Sequence, residues 1–393
     1  MYIKRYAKKA IAALLCSTLI MSVAACSSTD EGEDNSTATV SFEPINETTK
    51  TPSTEVSTET TDSEAVEPTA EAEEYVLPEG MYYSELTGEP ISEEIKDQRP
   101  IAAMVDNEKT ALPHYGTSEA DVVYELMNST KNDRITRLMC VVKDWGKIEQ
   151  LGSIRSTRPT NILLASEWNA LLCHDGGPYH NDAYFANPWA AHFSGTFSRI
   201  NNGKAREFTE YIVSGDLDDN FNNYEGKASY SRTYNEYANP GSHFNFVPYG
   251  TEYKLSEKYS NTYSASMVSL PFKHNSSQLV YNSETKEYEY YEYGDRHEDA
   301  EDGAPLSFKN VILQNCSFTE LDENGYLIYN CINPSETGWY LTNGEAKVIA
   351  WSKTSETGVT KYYDDKGEEL QLNTGKTYIS LIPSDSWSSI TFQ

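Results

Sequence analysis

Gly152-Ser153-Ile154-Arg155-Ser156-Thr157-Arg158-Pro159 lies between two apolar stretches, and its reading decides the fold. Pro159 suits the first turn of a helix, where an N–H would go unpaired anyway and the proline φ is already correct. The pattern predicts a helix from there to about Trp168, with Ser156 or Thr157 near the cap. Before it, Arg134 to Trp145 is β-rich through Ile135, Leu138, Val141 and Val142. After it, Ala170 to Cys173 reads as a short buried strand, broken by His174-Asp175-Gly176-Gly177-Pro178. Upstream, Arg99 to Asn107 reads as a buried strand ending in polar residues. Thr117 to Asp121 reads as a turn or helix start, and Val122-Val123-Tyr124 as a further apolar stretch. Strands alternating with a helix indicate an α/β layer.

Outward from there the pattern changes. Residues 179–260 are rich in Asn, Tyr, Gly and Ser, and only Ala205–Val213 looks helical. From about 265 the chain reads as short strands bounded by turns: Tyr288–Tyr293, a hairpin over 308–333, Ala346–Trp351, Val359–Tyr363 and Thr377–Ile382. The aromatic run at Tyr288–Tyr293 reads as an edge-strand ladder or as a surface that stacks on sugar rings. The predicted class is α/β in the mixed α+β sense. A layered sheet-and-helix N-terminal unit over 81–260 is followed by a β-rich C-terminal unit over 261–393.

The 393 residues carry 31 Lys and Arg against 60 Asp and Glu, a formal net charge of −29. A chain this acidic lacks the cationic face that a phosphate backbone needs, so nucleic acid is not an expected partner. Lys4, Arg5, Lys8 and Lys9 precede a mostly apolar stretch from Ala10 to Ala25. This reads as a secretory signal over 1–25 that is short for a transmembrane helix. Val23-Ala24-Ala25-Cys26 has the form of a bacterial lipobox. Small residues admit the peptidase, and the Cys26 thiol takes the diacylglycerol. The alternative is an ordinary signal peptide with an incidental cysteine. Residues 27–80 hold 18 Ser or Thr and 15 Asp or Glu in 54 positions. That composition cannot bury enough apolar surface to fold, and 26–80 reads as a lipidated cysteine with an acidic tether spanning roughly 40 Å.

With Cys16 in the signal and Cys26 lipidated, four cysteines remain. Cys316 and Cys331 flank the turn Asp322-Glu323-Asn324-Gly325. If all four residues form the loop, the two thiols face each other across the ladder, and two readings stand: a disulfide, or two buried free thiols. Cys140 and Cys173 read as core packing, and no spacing resembles a zinc site.

The residues resemble the YerB-like family of bacterial lipoproteins, whose two domains are of unknown function. The likeness runs through Asp106-Asn107, Ser118-Glu119-Ala120-Asp121-Val122-Val123-Tyr124-Glu125, Thr136-Arg137, Arg155-Ser156-Thr157-Arg158-Pro159 and His174-Asp175-Gly176-Gly177. It continues in Phe308-Lys309-Asn310-Val311-Ile312, Lys347-Val348-Ile349-Ala350-Trp351 and Thr377 to Pro383. It is good over about 98–178 and 305–383 and poor between. The chain departs from the family text at Leu112, where arginine is usual, and over Asn128 to Arg134. The resemblance implies a mixed α/β fold with layered sheets and brings no established activity.

Arg155 and Arg158 flank the predicted helix start, where guanidinium groups suit bidentate contact with carboxylate or phosphate. Arg137, Ser156, Asp106 and Asn107 complete the candidate ligand site. The structural alternative is that these arginines only pair with Asp106, Asp121 or Glu125 to hold loops. His174, at a strand end before two glycines, is the candidate acid or base, or else a cap for the turn. Gly-x-Ser-x-Gly is absent. His174, His180, Asp182 and His192 are a loose set whose spacing matches no metal motif, and no cofactor or metal is expected.

Two main functions follow. One is an extracytoplasmic binding or interaction module, lipid-anchored to the membrane of a Gram-positive cell, whose partner is an envelope protein or an anionic small molecule. The other is a hydrolase or transferase acting on an anionic envelope substrate with His174 as acid or base. A solute-binding lipoprotein for a transporter would need two lobes and a cleft, which the short C-terminal strands oppose.

Overall fold

A computed structural model describes residues 75–239 and 242–393. The expected signal peptide, Cys26 and the tether up to residue 74 lie outside the described residues. Among the described residues no helix is long and apolar enough to cross a membrane.

The fold is α+β and sheet-rich. Its frame is strands β1 (Ile101–Asp106), β2 (Val122–Met127) and β3 (Thr136–Val142), helix α1 (Pro159–Glu167), and strands β4 (Leu171–His174), β5 (His192–Ser194), β6 (Glu287–Glu292), β7 (Asn310–Cys316), β8 (Asn333–Thr342), β9 (Glu345–Lys353) and β10 (Thr377–Pro383). An 11-stranded sheet runs β9-β8-β7-β10-β2-β3-β1-β4-β5, with short strands Tyr263–Ser264 and Lys361–Tyr363 also paired to β9. It takes strands from both 81–260 and 261–393. The seam is β10, which pairs in parallel with β2 from Thr377↔Val122 to Leu381↔Leu126 and with β7 from Asn310↔Thr377 to Cys316↔Pro383.

The continuous apolar runs explain the interior strands. Every residue of β1, β2, β3 and β10 is buried, as expected when a sheet is covered on both faces. Each fully buried Val, Leu or Ile there contributes roughly 1.5–3 kcal/mol. Helix α1 starts at Pro159 as predicted, but its N-cap is Arg158, whose backbone N–H donates to Asn161 Oδ1 at 3.2 Å. All nine α1 residues are buried. Glu167 at its end accepts hydrogen bonds from Tyr124 Oη at 2.8 Å and Thr360 Oγ1 at 2.7 Å, tying the helix to both segments.

The predicted helix over Ala205–Val213 is corrected. Only Arg206–Phe208 forms a single 3-10 turn, and Glu210–Val213 is a strand antiparallel to Gln150–Gly152. Tyr211, Ile212 and Val213 are bulky or β-branched and pack better on a pleated surface. An eight-residue helix follows at Asp216–Asn223. The aromatic run on β6 is interior rather than an edge ladder. Its strand is flanked by Gln278–Asn282 and by Asp295–Arg296 and Ser307–Phe308, and Tyr288 and Tyr290 are fully buried.

The hairpin register follows the four-residue loop, with Phe318↔Tyr329 and Glu320↔Leu327 paired. Of the two readings for Cys316 and Cys331, the structure has the buried free thiols. Cys316 ends β7 inside the large sheet, opposite Pro383, whereas the hairpin ladder begins at Phe318. Cys140 and Cys173 are core residues.

Candidate functional site: an arginine cluster at the start of a helix

The sheet register builds the first half of the site. β1 and β3 are antiparallel, and Asp106 is the partner of Arg137, so carboxylate and guanidinium leave the strands side by side. The second half is the loop before α1. Its backbone is held on β1 by the Arg155 N–H donating to the Met104 carbonyl at 2.8 Å, and on Glu210 by the Ile154 N–H at 2.7 Å. The loop thereby presents Arg155, Ser156 and Arg158 to Arg137.

Ser156 is the centre. Arg137 donates through one terminal nitrogen to the Ser156 carbonyl at 2.9 Å and to its Oγ at 3.0 Å. Arg158 reaches the same Oγ at 3.2 Å and the Thr157 carbonyl at 2.8 Å, while its Nε donates to the Asn128 carbonyl at 2.9 Å. Its guanidinium also lies 4.4 Å from the centre of the Tyr326 ring, a cation–π distance. Arg155 Nε sits 2.8 Å from Asp106 Oδ2, and its terminal nitrogen 2.9 Å from Glu207 Oε2 at the rim. Arg137 lies farther from Asp106, at 3.6 Å.

The charges do not balance. Three guanidinium groups meet two carboxylates here: among the described residues Arg137 and Arg155 form ion pairs with Asp106 and Glu207, Arg158 forms none, and Glu207 is half exposed. Arg137 and Arg158 are buried. Burial, and then the neighbouring Arg137 charge, bring Arg158 down to about 9, and burial also lowers Arg137. Arg137 Nε, fully enclosed, has no hydrogen-bond partner among the described residues. An excess of buried positive charge around a hydroxyl is an arrangement that an anion would stabilise.

The remaining predicted residues go elsewhere. Asn107 follows Asp106 but turns away, donating to Glu125 Oε1, Thr136 Oγ1 and Tyr290 Oη. Neither Asp121 nor Glu125 pairs with these arginines. Asp121 accepts from the Lys143 N–H at 2.7 Å, and Glu125 accepts from Thr136, Asn275 and Tyr378. His174 is buried, stacks on Phe185 and uses both ring nitrogens, Nδ1 with the Gly176 carbonyl at 2.8 Å and Nε2 with His192 Nδ1 at 2.9 Å. Burial and His192 lower it to about 4. It has no hydrogen bond to Asp106, Asp121 or Arg155, and both of its ring nitrogens are already hydrogen-bonded within the fold. His180 pairs with Asp322 at 2.8 Å, so the loose histidine set is split. A cavity of about 950 Å³ lined by Tyr83, Phe246, Tyr249 and Lys361 contains none of the arginines.

One cluster escapes sequence reading altogether: His114, Glu292 and His297, buried and mutually close. Its members come from opposite segments, so no spacing announces them.

Comparison with known proteins adds the following. Residues 86–233 match the model described as "Protein of unknown function (DUF3048) N-terminal domain", and 268–379 match its C-terminal domain. The chain is 22% identical over 335 residues to the Bacillus subtilis (strain 168) protein named "Putative lipoprotein YerB", covering 78% of this chain and 88% of that one. It also superposes on the crystal structure of YerB protein from Bacillus subtilis. The TM-score is 0.66 at 19% identity, over 79% of this chain and 99% of that chain, which is a likeness of fold.

Proposed function

The chain belongs to the DUF3048 family, and we propose that it is a lipid-anchored, extracytoplasmic binding module whose ligand carries a carboxylate or phosphate group. The observation that carries this reading is the convergence of Arg137 and Arg158 on Ser156 Oγ, with Arg155 beside them on the one buried carboxylate, Asp106. Planar guanidinium groups hold such anions through paired hydrogen bonds. The anchor rests on Cys26 after its lipobox, and on the relative whose name includes "lipoprotein". An acidic tether would let the folded part range on the order of 40 Å from the bilayer. Non-enzymatic binding fits better than acid–base catalysis, because both His174 nitrogens are engaged inside the fold.

The test is thermal unfolding of the full chain in increasing inorganic phosphate at constant ionic strength. Ligand at 100 times its dissociation constant stabilises a protein by about 2.7 kcal/mol. The midpoint should rise for the wild type and stay flat for Arg155→Ala. Equal rises in both would refute the site.

A further inference from the structure

His114, Glu292 and His297 meet in the interior from three places. His114 lies in the loop between β1 and β2, Glu292 ends β6, and His297 follows the short strand Asp295–Arg296. All three are buried. His114 Nδ1 lies 2.9 Å from His297 Nε2. Glu292 Oε1 lies 3.9 Å from the first and 4.0 Å from the second.

Hydrogen bonding fixes what these atoms present. His114 Nε2 is 2.6 Å from the Asp106 carbonyl. A carbonyl only accepts, so Nε2 carries the proton and Nδ1 turns a lone pair toward His297 and Glu292. Both Glu292 oxygens are enclosed and have no hydrogen-bond partner among the described residues, and the same holds for His297 Nδ1. Asn275 Nδ2 is committed to Glu125 Oε1 at 2.7 Å and Tyr290 Oη at 3.1 Å. A carboxylate at this depth without donors costs several kcal/mol. One N–H···N bond between the histidines would still leave it without a donor.

We propose that His114 Nδ1, His297 Nε2 and Glu292 Oε1 bind one divalent transition-metal ion, with zinc the best match. The centre of the triangle formed by the three atoms lies about 2.1 Å from each, the length of zinc–nitrogen and zinc–oxygen bonds. The donor set of two imidazoles and a carboxylate, without thiolate, suits a first-row ion of this kind. The Asp106 carbonyl plays the outer partner that orients a metal-bound histidine. The ion supplies the positive charge that Glu292 lacks, and His297 then holds its proton on Nδ1.

The role is a staple. His114 lies in the segment matched by the N-terminal domain, and Glu292 and His297 lie in the segment matched by the C-terminal one. The metal would therefore cross-link the two, and enclosure makes its exchange slow. The same Asp106 that steadies His114 through its carbonyl pairs with Arg155 through its carboxylate, yet the site stands without any anion at the arginines.

The test uses the purified full chain, stripped with a chelator and reloaded with Zn²⁺ or Co²⁺ alone. Elemental analysis should find one zinc per chain after dialysis. The cobalt form should show visible d–d absorption without a sulfur-to-cobalt charge-transfer band, which separates the site from the cysteines. Glu292→Gln and His297→Ala should weaken zinc binding at least tenfold, while His180→Ala should not. Substoichiometric zinc in the wild type, a thiolate-type cobalt spectrum, or undiminished binding in both variants would overturn the proposal. Should either variant fail to fold, the wild-type stoichiometry and spectrum decide.

Discussion

Asp106 Oδ2 sits 2.8 Å from Arg155 Nε, with the carboxylate 1% exposed and the arginine side chain 21% exposed. The pair is buried at one end and open at the other. Arg155 is therefore the arginine that a ligand from solvent meets, while Arg137 and Arg158 form the floor behind Ser156. Removing them should have different consequences.

Arg155→Ala should abolish anion-dependent stabilisation and leave the melting temperature within a few degrees, since Asp106 keeps Arg137 nearby. Arg158→Ala should lower stability by about 2–4 kcal/mol, because the Asn128 and Thr157 carbonyls lose a buried donor. Urea unfolding separates the two outcomes. A large loss in Arg155→Ala would make that residue structural.

A second buried pair governs acid sensitivity. Glu167 and Lys353 are fully buried with Oε2 3.2 Å from Nζ. Burial alone would raise Glu167, but the Lys353 charge, His243 and the Thr360 hydrogen bonds outweigh it and bring Glu167 to about 2. A folded value below the unfolded one of about 4.3 gives stability that is fully present above the unfolded value and lost as pH falls through the folded one. The contribution is about 3 kcal/mol, lost between about pH 4 and pH 2. Lys353→Met should reverse the sign, leaving a Glu167 that burial raises and stability that falls as pH climbs. Urea midpoints against pH would read this, and an unchanged acid slope in Lys353→Met would contradict it.

The thiols give a third check. Cys140, Cys173, Cys316 and Cys331 are free and buried, and burial pushes Cys140 and Cys331 up to about 12. Alkylation of the native protein should be slow at all four. In denaturant without reductant, peptide mapping should find all four modified. Protection of Cys316 and Cys331 together, relieved by reductant, would mean a bridge.

How much of this was legible in the sequence depends on where each signal lived. Ile101–Asp106, Val122–Met127 and Thr377–Pro383 could be read because strands buried on both faces are continuously apolar. Pro159 marked the start of α1, and the turn Asp322–Gly325 set the hairpin register. Glu210–Val213 was misread because its partner strand, Gln150–Gly152, lies some sixty residues away. In the site, Arg137, Arg155, Ser156, Arg158 and Asp106 do converge. Asn107 does not, since adjacent side chains on an extended backbone face opposite ways. His114 carried no local signal, because its companions Glu292 and His297 are supplied by a remote strand pairing.

The anchor has its own prediction. The wild type should sediment with membranes, and Cys26→Ser should be released from them in soluble form. A Cys26→Ser protein that still sediments would place the attachment elsewhere.

The most direct measurement is anomalous diffraction from crystals soaked in selenate, a heavy analogue of the tetrahedral anions that guanidinium groups bind. The expected result is a peak within hydrogen-bond distance of Arg137, Arg155 and Arg158 beside Ser156 Oγ, absent from Arg155→Ala crystals. Well-diffracting crystals with no peak there, or a peak that survives the loss of Arg155, would contradict an anion-binding site at the start of α1.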